Sequence, residues 1–372
     1  MISRYTRQTT DFTKANQRKG ILNFDTDNLY PFHTENIVKN SGTVKSIVDI
    51  FGRFIYGRGF NNDLWNVKVG DTTADKLLRL LIDDYKQHKG FSVWVGYNAL
   101  LEFTNIKYVP FMNCRLKSPD DLGNINKIKY SKSWKNSDRC DVYDYDVYND
   151  DKEIITRQIA LAGGIDNWRG QIYYFGGNEK LEYPENSFNS VITDAITDIQ
   201  ISLGKNANAM TNFMPSVILE LPYQFSQMAS TPQESDEIKA DFLNNLQNFQ
   251  GYDNAGKYML IENPLTNTIN GEMRKMEIHK MDMQNYDKIY EYTENSVMEK
   301  IRKAFMIPKI LIDPVATGFS GEILNYSYNL YNEITSLDRQ IFEEFANKFF
   351  GKFKKGDYTI NPLKIIENDN NI

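Results

Sequence analysis

The stretch EKIRKAFMIPKILIDPVATGFSGEILNYSYNLYNEITSLDRQIFEEFANKFF, residues 299–350, decides the fold. Together with the residues before it, it predicts a helix over 285–306, a loop with two prolines and Gly318, and a second helix over 322–350. Apolar residues recur every three or four positions along the second helix, which would be about 40 Å long at 1.5 Å per residue. A helix of that length usually crosses a whole module of a protein.

Composition excludes several classes of protein. A chain of 372 residues predicts two or three domains. It has 43 Lys and Arg against 49 Asp and Glu, a net charge of −6, so bulk electrostatics cannot hold nucleic acid and any DNA contact must be local. With two cysteines, Cys114 and Cys140, and three histidines, the chain has too few ligands for a disulfide scaffold or a zinc cluster. A reducing compartment is expected.

The first twenty residues predict a mobile basic arm, because they are polar and lack periodicity. They have no apolar core, so they are not a signal peptide. The sequence also lacks the roughly 18 consecutive apolar residues of a membrane-spanning helix, so we expect a soluble intracellular chain.

Helical spacing predicts amphipathic helices over 36–54, ended by Gly57, and over 73–89, with Gly90 just after its end. In residues 141–151, alternation predicts a strand with aspartates on a solvated face. Further strands are predicted over 91–97, 100–108, 127–130 and 171–175.

The later part of the chain contains a helix and a small mixed unit. An apolar stripe from Ile192 to Met210 predicts a helix that Pro215 ends. Residues 216–283 then predict a strand, a helix, a Gly-containing turn and two strands. The fold class predicted from the whole pattern is α+β.

Three strings imitate catalytic or metal motifs and fail. GYDNAGKY, residues 251–258, has Tyr258 where a phosphate-binding loop needs Ser or Thr, and it follows a helix instead of a strand. The aspartates of 141–151 lack the loop glycine of an EF-hand. GFSG at 318–321 lacks the spacing of a nucleophile elbow. We therefore predict no catalytic residue, metal or cofactor, and no enzyme activity.

Four segments carry a family resemblance when their order is considered together. They are NFDTDNLYPFHTENIVKNSGTVKSIVDIFGRFIYGRGF (23–60), MTNFMPSVILELP (210–222), GYDNAGKYMLIEN (251–263) and the opening stretch 299–350. Their order and spacing resemble bacteriophage portal proteins of the long-tailed-phage type, and the resemblance covers 23–352.

The resemblance implies a multi-domain subunit with an α/β wing, long stem helices, a small α/β clip and a reduced helical crown. On that plan the parts are a basic arm (1–20), wing (21–185), first stem helix (186–213), clip (214–284), second stem helix (285–306), tunnel loop (307–320), long helix to the wing and crown (321–350) and short crown or tail (351–372).

The resemblance also implies a function. Portal subunits form a ring, usually a dodecamer, at one capsid vertex, through which double-stranded DNA is packaged and ejected. The implied partners are the terminase large subunit, major capsid and scaffold proteins, head-completion or adaptor proteins, and DNA that passes without sequence specificity. The implied location is the virion, with assembly in the host cytoplasm and no membrane.

Within that plan, Val315, Ala316, Thr317, Gly318 and Phe319 are the residues predicted to lie nearest DNA in the tunnel loop. Small residues and a glycine permit close approach and movement. The alternative is an ordinary connection between two helices, although about fifteen residues is long for one.

Two charged groups have two interpretations each. Asp194 and Asp198, four residues apart on the first stem helix, would line the channel or lie on a solvated helix face. Lys352, Lys354 and Lys355 would contact DNA or cap a helix dipole.

Two other functions stay open from the sequence alone. One is a different minor capsid or head–tail connector subunit. The other is a metal-dependent nucleic-acid-processing enzyme, whose paired carboxylates would be hidden among the many Asp and Glu residues.

Overall fold

The structure is a computed structural model, and it describes residues 15–16, 20–135, 140–176, 183–210, 217–221, 224–225, 229–248, 258–262, 277–280, 286–312 and 321–365. The chain divides into two compact units. Unit 1 comprises Met1–Ile196 and Val297–Ile372, and unit 2 is Thr197–Ser296.

The described part contains both helices and strands. The helices are α1 (Tyr30–Asn40), α2 (Gly42–Tyr56), α3 (Ala74–His88), α4 (Lys152–Leu161), α5 (Ile192–Met210), α6 (Pro232–Asn248), α7 (Tyr286–Ala304), α8 (Gly321–Ile334) and α9 (Ser336–Phe349). The strands are β1 (Ala15–Asn16), β2 (Ile21–Leu22), β3 (Gly90–Tyr97), β4 (Phe103–Val109), β5 (Cys114–Leu116), β6 (Lys127–Ser131), β7 (Val142–Val147), β8 (Gln171–Gly176), β9 (Val217–Leu221), β10 (Tyr258–Glu262) and β11 (Glu277–Lys280).

The single helix predicted over 36–54 is wrong, because two helices occupy the region. Ser41 separates them in an extended conformation (φ −99°, ψ 113°), and its side chain accepts a hydrogen bond from the Val44 amide at 3.0 Å. That bond satisfies one of the free amides at the start of α2. The predicted end at Gly57 is confirmed, since Gly57 has φ 57°.

Helix α3 begins as its sequence predicts, with the Thr73 hydroxyl accepting from the Lys76 amide at 3.3 Å. Its predicted end is one residue too late, because the left-handed residue is Lys89 (φ 56°) and not Gly90. Gly90 is instead the first residue of β3, where a side chain would lie 2.5 Å from the Phe111 ring. The glycine is therefore required by packing and not by the helix terminus.

Six strands of unit 1 form one sheet in the order β4-β3-β8-β7-β6-β5. All neighbours are antiparallel except β7 and β8, which are parallel over two residue pairs. One face of the sheet packs on α3 and α9, where the Phe91 ring lies 5.2 Å from Phe342 and 5.3 Å from Phe345. The other face holds a smaller cluster that includes Phe24, which stacks on Tyr183 at 4.2 Å.

The long helix predicted over 322–350 is interrupted at Thr335, between α8 and α9. The Thr335 hydroxyl donates to the Tyr331 carbonyl at 2.9 Å, and the buried Arg339 guanidinium donates to the Asn332 carbonyl at 2.6 Å and to the Phe54 carbonyl at 3.1 Å. These bonds compete with the backbone for helix carbonyls. Helical bonds continue on both sides, from the Thr335 amide to Tyr331 and from the Arg339 amide to Thr335, so the prediction is wrong only about continuity.

Unit 2 contains a three-stranded sheet in the order β10-β9-β11, in which β9 is parallel to β10 and antiparallel to β11. Helix α6 lies within residues 216–283, where the sequence predicts a helix after the first strand. Phe225 is buried and lies 5.5 Å from the Phe242 ring of α6. With mixed sheets and helices in both units, the predicted α+β class is confirmed.

Candidate functional site

The predicted tunnel loop connects α7 to α8. Residues 313–320, including Val315, Ala316, Thr317, Gly318 and Phe319, lie outside the described residues. The structure describes what holds the two ends of this segment. The GYDNAGK turn at 251–257 also lies outside the described residues.

A guanidinium fixes the first end of the loop. Arg302, in the last turn of α7, donates to the Ile307 carbonyl and to Glu299 Oε2, the latter at 2.7 Å. Its own carbonyl accepts from the Ile307 amide at 3.2 Å. Met306 between them has φ 54°, so the chain reverses direction directly after the helix. The hydrogen bonds of Arg302 therefore set the direction in which the loop leaves α7.

Buried side chains anchor both ends. Before the undescribed segment, Phe305, Ile307 and Ile310 are buried, and the Phe305 ring lies 5.6 Å from that of Phe51 in α2. After it, Tyr331 of α8 is fully buried, with its ring 4.7 Å from Phe54 of α2. One helix, α2, thus receives aromatic contacts from both sides of the loop, and the core of unit 1 determines where the loop starts and ends.

The two stem aspartates have unequal surroundings. Asp194 pairs with Lys300 at 2.8 Å, which joins α5 to α7 within unit 1. Asp198 is only 6% exposed. The interpretation of the two aspartates as a solvated helix face therefore does not describe Asp198. Their role in lining a channel stays a prediction.

The three C-terminal lysines are exposed and lie at the end of α9. Lys352 belongs to the 3₁₀ turn Phe350–Lys352 that directly follows the helix, the position at which a cation interacts with the helix dipole. Lys354 and Lys355 lie beyond that turn. None of the three has an ion-pair partner among the described residues. Position thus favours dipole capping for Lys352, and contact of Lys354 and Lys355 with DNA stays a prediction.

Among the described residues, no group of three or more His, Cys, Asp or Glu side chains lies close enough together to hold a metal ion. The solvated face predicted for the aspartates of β7 is wrong for Asp146. It is 8% exposed and accepts a hydrogen bond from Trp168 Nε1 at 2.8 Å, with Lys127 3.4 Å away. Its carboxylate therefore has a structural role between β6 and the segment before β8.

Two neighbouring residues of α3 are buried titratable groups that the sequence did not single out. Asp84 accepts hydrogen bonds from the Tyr108 hydroxyl at 3.0 Å and the Phe111 amide at 2.9 Å. Burial raises the pKa of Asp84 to about 7 despite these bonds. His88, one turn later, stacks on Phe111, and burial lowers its pKa to about 3. Only the tertiary structure reveals this pair, because both residues fit the pattern of an ordinary amphipathic helix.

Arg115 is a further buried cation that the sequence did not indicate. Its guanidinium donates to Asn28 Oδ1 at 2.6 Å, the Asn28 carbonyl at 2.7 Å, the Met112 carbonyl at 2.9 Å and the Cys114 carbonyl at 2.7 Å. Asn28 has φ 61°, so these bonds stabilise an unusual backbone conformation. Arg115 thereby ties the segment before α1 to β5, a structural role.

No helix in the described part of the chain is long and apolar enough to cross a bilayer. No family model matches the sequence, and no curated protein matches it significantly.

Comparison with solved structures gives similar folds. A chain in the neck of an empty gene transfer agent (GTA) particle aligns with a TM-score of 0.51 and 11% identity, covering 88% of this chain and 84% of that one. A chain of the native GTA neck, computed with C12 symmetry, aligns with a TM-score of 0.51 and 12% identity over 88% and 83%. An HK97-family phage portal protein from Corynebacterium diphtheriae aligns with a TM-score of 0.40 and 11% identity over 88% and 92%.

Identities of 11–13% establish the fold alone. Similarity to the GTA chains extends over most of both partners, and so includes elements from both units of this chain. At the level of the fold, this chain is similar to chains of the GTA particle over most of its length, in keeping with the resemblance predicted from the sequence.

Proposed function

We propose that this chain is the subunit of a portal ring at the capsid vertex of a phage-like particle, through which double-stranded DNA passes. The observation that carries the proposal is the fold similarity to GTA neck chains over 88% of this chain. One of those necks was computed with C12 symmetry and the other with C6 symmetry, and a ring of twelve subunits is compatible with both.

Each segment of the chain then has a role in the ring. The tunnel loop, residues 307–320, would face DNA, and its anchoring through Arg302, Phe305 and Tyr331 supports that role. A loop that guides DNA needs fixed ends so that only its tip adapts to the passing duplex. The clip, residues 214–284, would bind the terminase motor during packaging and adaptor proteins afterwards.

Net charge supports a conduit that does not retain its cargo. Every phosphate that a protein neutralises adds a salt-dependent binding contribution, which would resist movement of DNA. A subunit with net charge −6 limits such contacts to local groups. Lys354 and Lys355 are the local groups proposed here for DNA contact, whereas Lys352 caps α9. Asp194 and Asp198 would line the channel only after contacts between subunits change their surroundings.

Negative-stain electron microscopy and mass photometry of the purified chain test the proposal. We expect rings of about twelve subunits with a central channel wide enough for B-form DNA. A closed assembly without a channel would contradict it. Nuclease assays with Mg²⁺ or Mn²⁺ test the enzyme alternative, and metal-dependent cleavage by the pure chain would replace the portal proposal.

A filter-binding assay examines the DNA path. We expect isolated rings to bind duplex DNA weakly and to lose that binding near physiological salt. Tight, salt-resistant retention of duplex would show that the ring holds DNA instead of passing it.

A further inference from the structure

A cavity of about 350 Å³ opens on the sheet of unit 1. The cavity lies on the face of the sheet that points away from α3 and α9. Trp94 of β3 and Ile172 of β8 belong to this face and line the cavity. Its other walls include Lys107, Pro110, Tyr130 and Tyr145. Cavities of roughly 300 Å³ or more with apolar and aromatic walls are the size that accepts small ligands or single side chains.

The tryptophan wall is rigid. Trp94 Nε1 donates to the Arg169 carbonyl at 2.7 Å. The indole lies against two glycines: a side chain at Gly96 would approach the ring to 2.6 Å, and one at Gly170, where φ is +82°, would approach Nε1 to 2.9 Å. The cavity is already open in the unbound chain, and the hydrogen bond from Trp94 Nε1 holds this wall in place, so binding needs little reorganisation of it.

Lys107 lines the cavity, and Arg169 lies near one of its walls. Lys107 Nζ lies 5.8 Å from the Trp94 ring and shares an exposed ion pair with Asp71 at 2.9 Å. The Arg169 guanidinium stands 4.5 Å over the ring of Tyr143, the cross-strand partner of Tyr130 in the cavity wall. Arg169 has no ion-pair partner in the described ranges. An apolar side chain next to a carboxylate fits this combination of walls and border.

Unit 1 presents such a side chain elsewhere on its surface. Leu122, in the connection from β5 to β6, is 86% exposed. Asp120 makes the turn rigid: one carboxylate oxygen accepts from the Leu122 amide at 3.0 Å and the Asn124 amide at 2.8 Å, and the other accepts from Asn126 Nδ2 at 2.8 Å. Asp121 beside the leucine is exposed. The turn therefore displays an apolar side chain and a carboxylate in one fixed conformation.

We propose that Leu122 of one copy of this chain inserts into the Trp94 cavity of the next copy, with Asp121 facing Arg169. The turn and the cavity involve different residues of the same unit, so the contact is head-to-tail and propagates around an axis. Both partners are rigid before they meet, which lowers the entropic cost of association. The inference rests on the proposed ring and specifies one of its contacts.

Charge reversal tests the contact in the full chain. Asp121→Arg and Arg169→Asp should each reduce the ring population at least tenfold in mass photometry, and the two substitutions combined should restore it. Leu122→Ser should also reduce it. Leu161→Ser, which changes a leucine that is 82% exposed at the end of α4, is the matched control and should assemble normally.

A peptide-binding assay tests this contact independently of ring formation. A cyclic peptide of residues 118–126, SPDDLGNIN, should bind the full chain in calorimetry, whereas the same peptide with Ser in place of Leu122 should not. Peptide binding by a chain that never forms rings would support the contact and contradict the proposed function. Rings without peptide binding, and unaffected by the three variants, would leave the function standing and overturn the contact.

Discussion

Replacing the buried carboxyl of Asp84 by the amide in Asp84→Asn should change how the stability of unit 1 depends on pH. Burial raises the pKa of Asp84 to about 7 in the folded chain, against a usual value of 3.8. A group whose pKa is raised on folding stabilises the native state fully below its unfolded value, and this stabilisation is lost as pH rises through the folded value. Integrating between about pH 5 and pH 8 gives a loss of about 3 kcal/mol in the contribution of Asp84 alone.

His88 hides this dependence in the wild-type protein. Burial lowers its pKa to about 3 from 6.5, so its contribution is present above 6.5 and is lost as pH falls through 3. Between about pH 4 and pH 6.5 the two groups change the free energy of unfolding by about 1.4 kcal/mol per pH unit in opposite directions, and they nearly cancel. Asp84→Asn removes the contribution of Asp84 and leaves that of His88. As pH rises over this range, the free energy of unfolding of the variant should therefore increase, whereas that of the wild type should stay nearly constant.

Urea unfolding followed by tryptophan fluorescence measures the effect, because all four tryptophans, Trp65, Trp94, Trp134 and Trp168, belong to unit 1. The free energy of unfolding of the wild type minus that of Asp84→Asn should fall by about 3 kcal/mol from pH 5 to pH 8. Asp83→Asn, which removes a neighbouring carboxylate whose side chain is 58% exposed, is the control for charge. A difference that is constant, or that rises with pH, would refute the assignment of a raised pKa to Asp84.

Three further predictions address the loop, the lysines and the buried guanidinium. Gly318→Phe should block DNA filling without preventing ring assembly, and normal genome length in particles carrying it would count against a DNA-facing loop. Lys354→Gln combined with Lys355→Gln should lower the salt dependence of DNA binding and leave the urea midpoint unchanged, whereas Lys352→Gln should lower that midpoint slightly. Arg115→Met should destabilise unit 1 by at least about 3 kcal/mol, since it leaves buried carbonyls without donors; a urea midpoint near that of the wild type would contradict this.

Local signals in the sequence were sufficient for much of the fold. Thr73 has the residue type of an N-cap and performs that role, and Gly57 ends α2. Ser41 has the same type as Thr73 but lies inside a continuous apolar pattern, so the spacing concealed the break between α1 and α2. Thr335 was hidden in the same way, since apolar periodicity and helical bonds continue across it.

The buried charges were not predictable, and the reason is physical. Asp146 alternates with tyrosines as a solvated strand residue would, but Trp168 and Lys127 arrive from other parts of the chain and cover it. Asp198 is four residues from Asp194, yet only the surroundings of α5 show that Asp194 pairs with Lys300 and that Asp198 is buried. Burial of a polar group depends on which distant segments pack over it, and spacing along one element carries no information about them.

Sequence and structure together describe how the loop is anchored. Sequence pattern identifies 307–320 as an unusually long connection, and the structure adds that α2 receives ring contacts from both of its ends, Phe51 to Phe305 and Phe54 to Tyr331. Arg339 donates a hydrogen bond to the Phe54 carbonyl at 3.1 Å. The region where α8 ends and α9 begins is therefore also bonded to α2. A shift of α2 would therefore move both ends of the loop together. In the proposed ring, the width of the channel at the loop would then depend on the packing of α2 as well as on the residues nearest DNA.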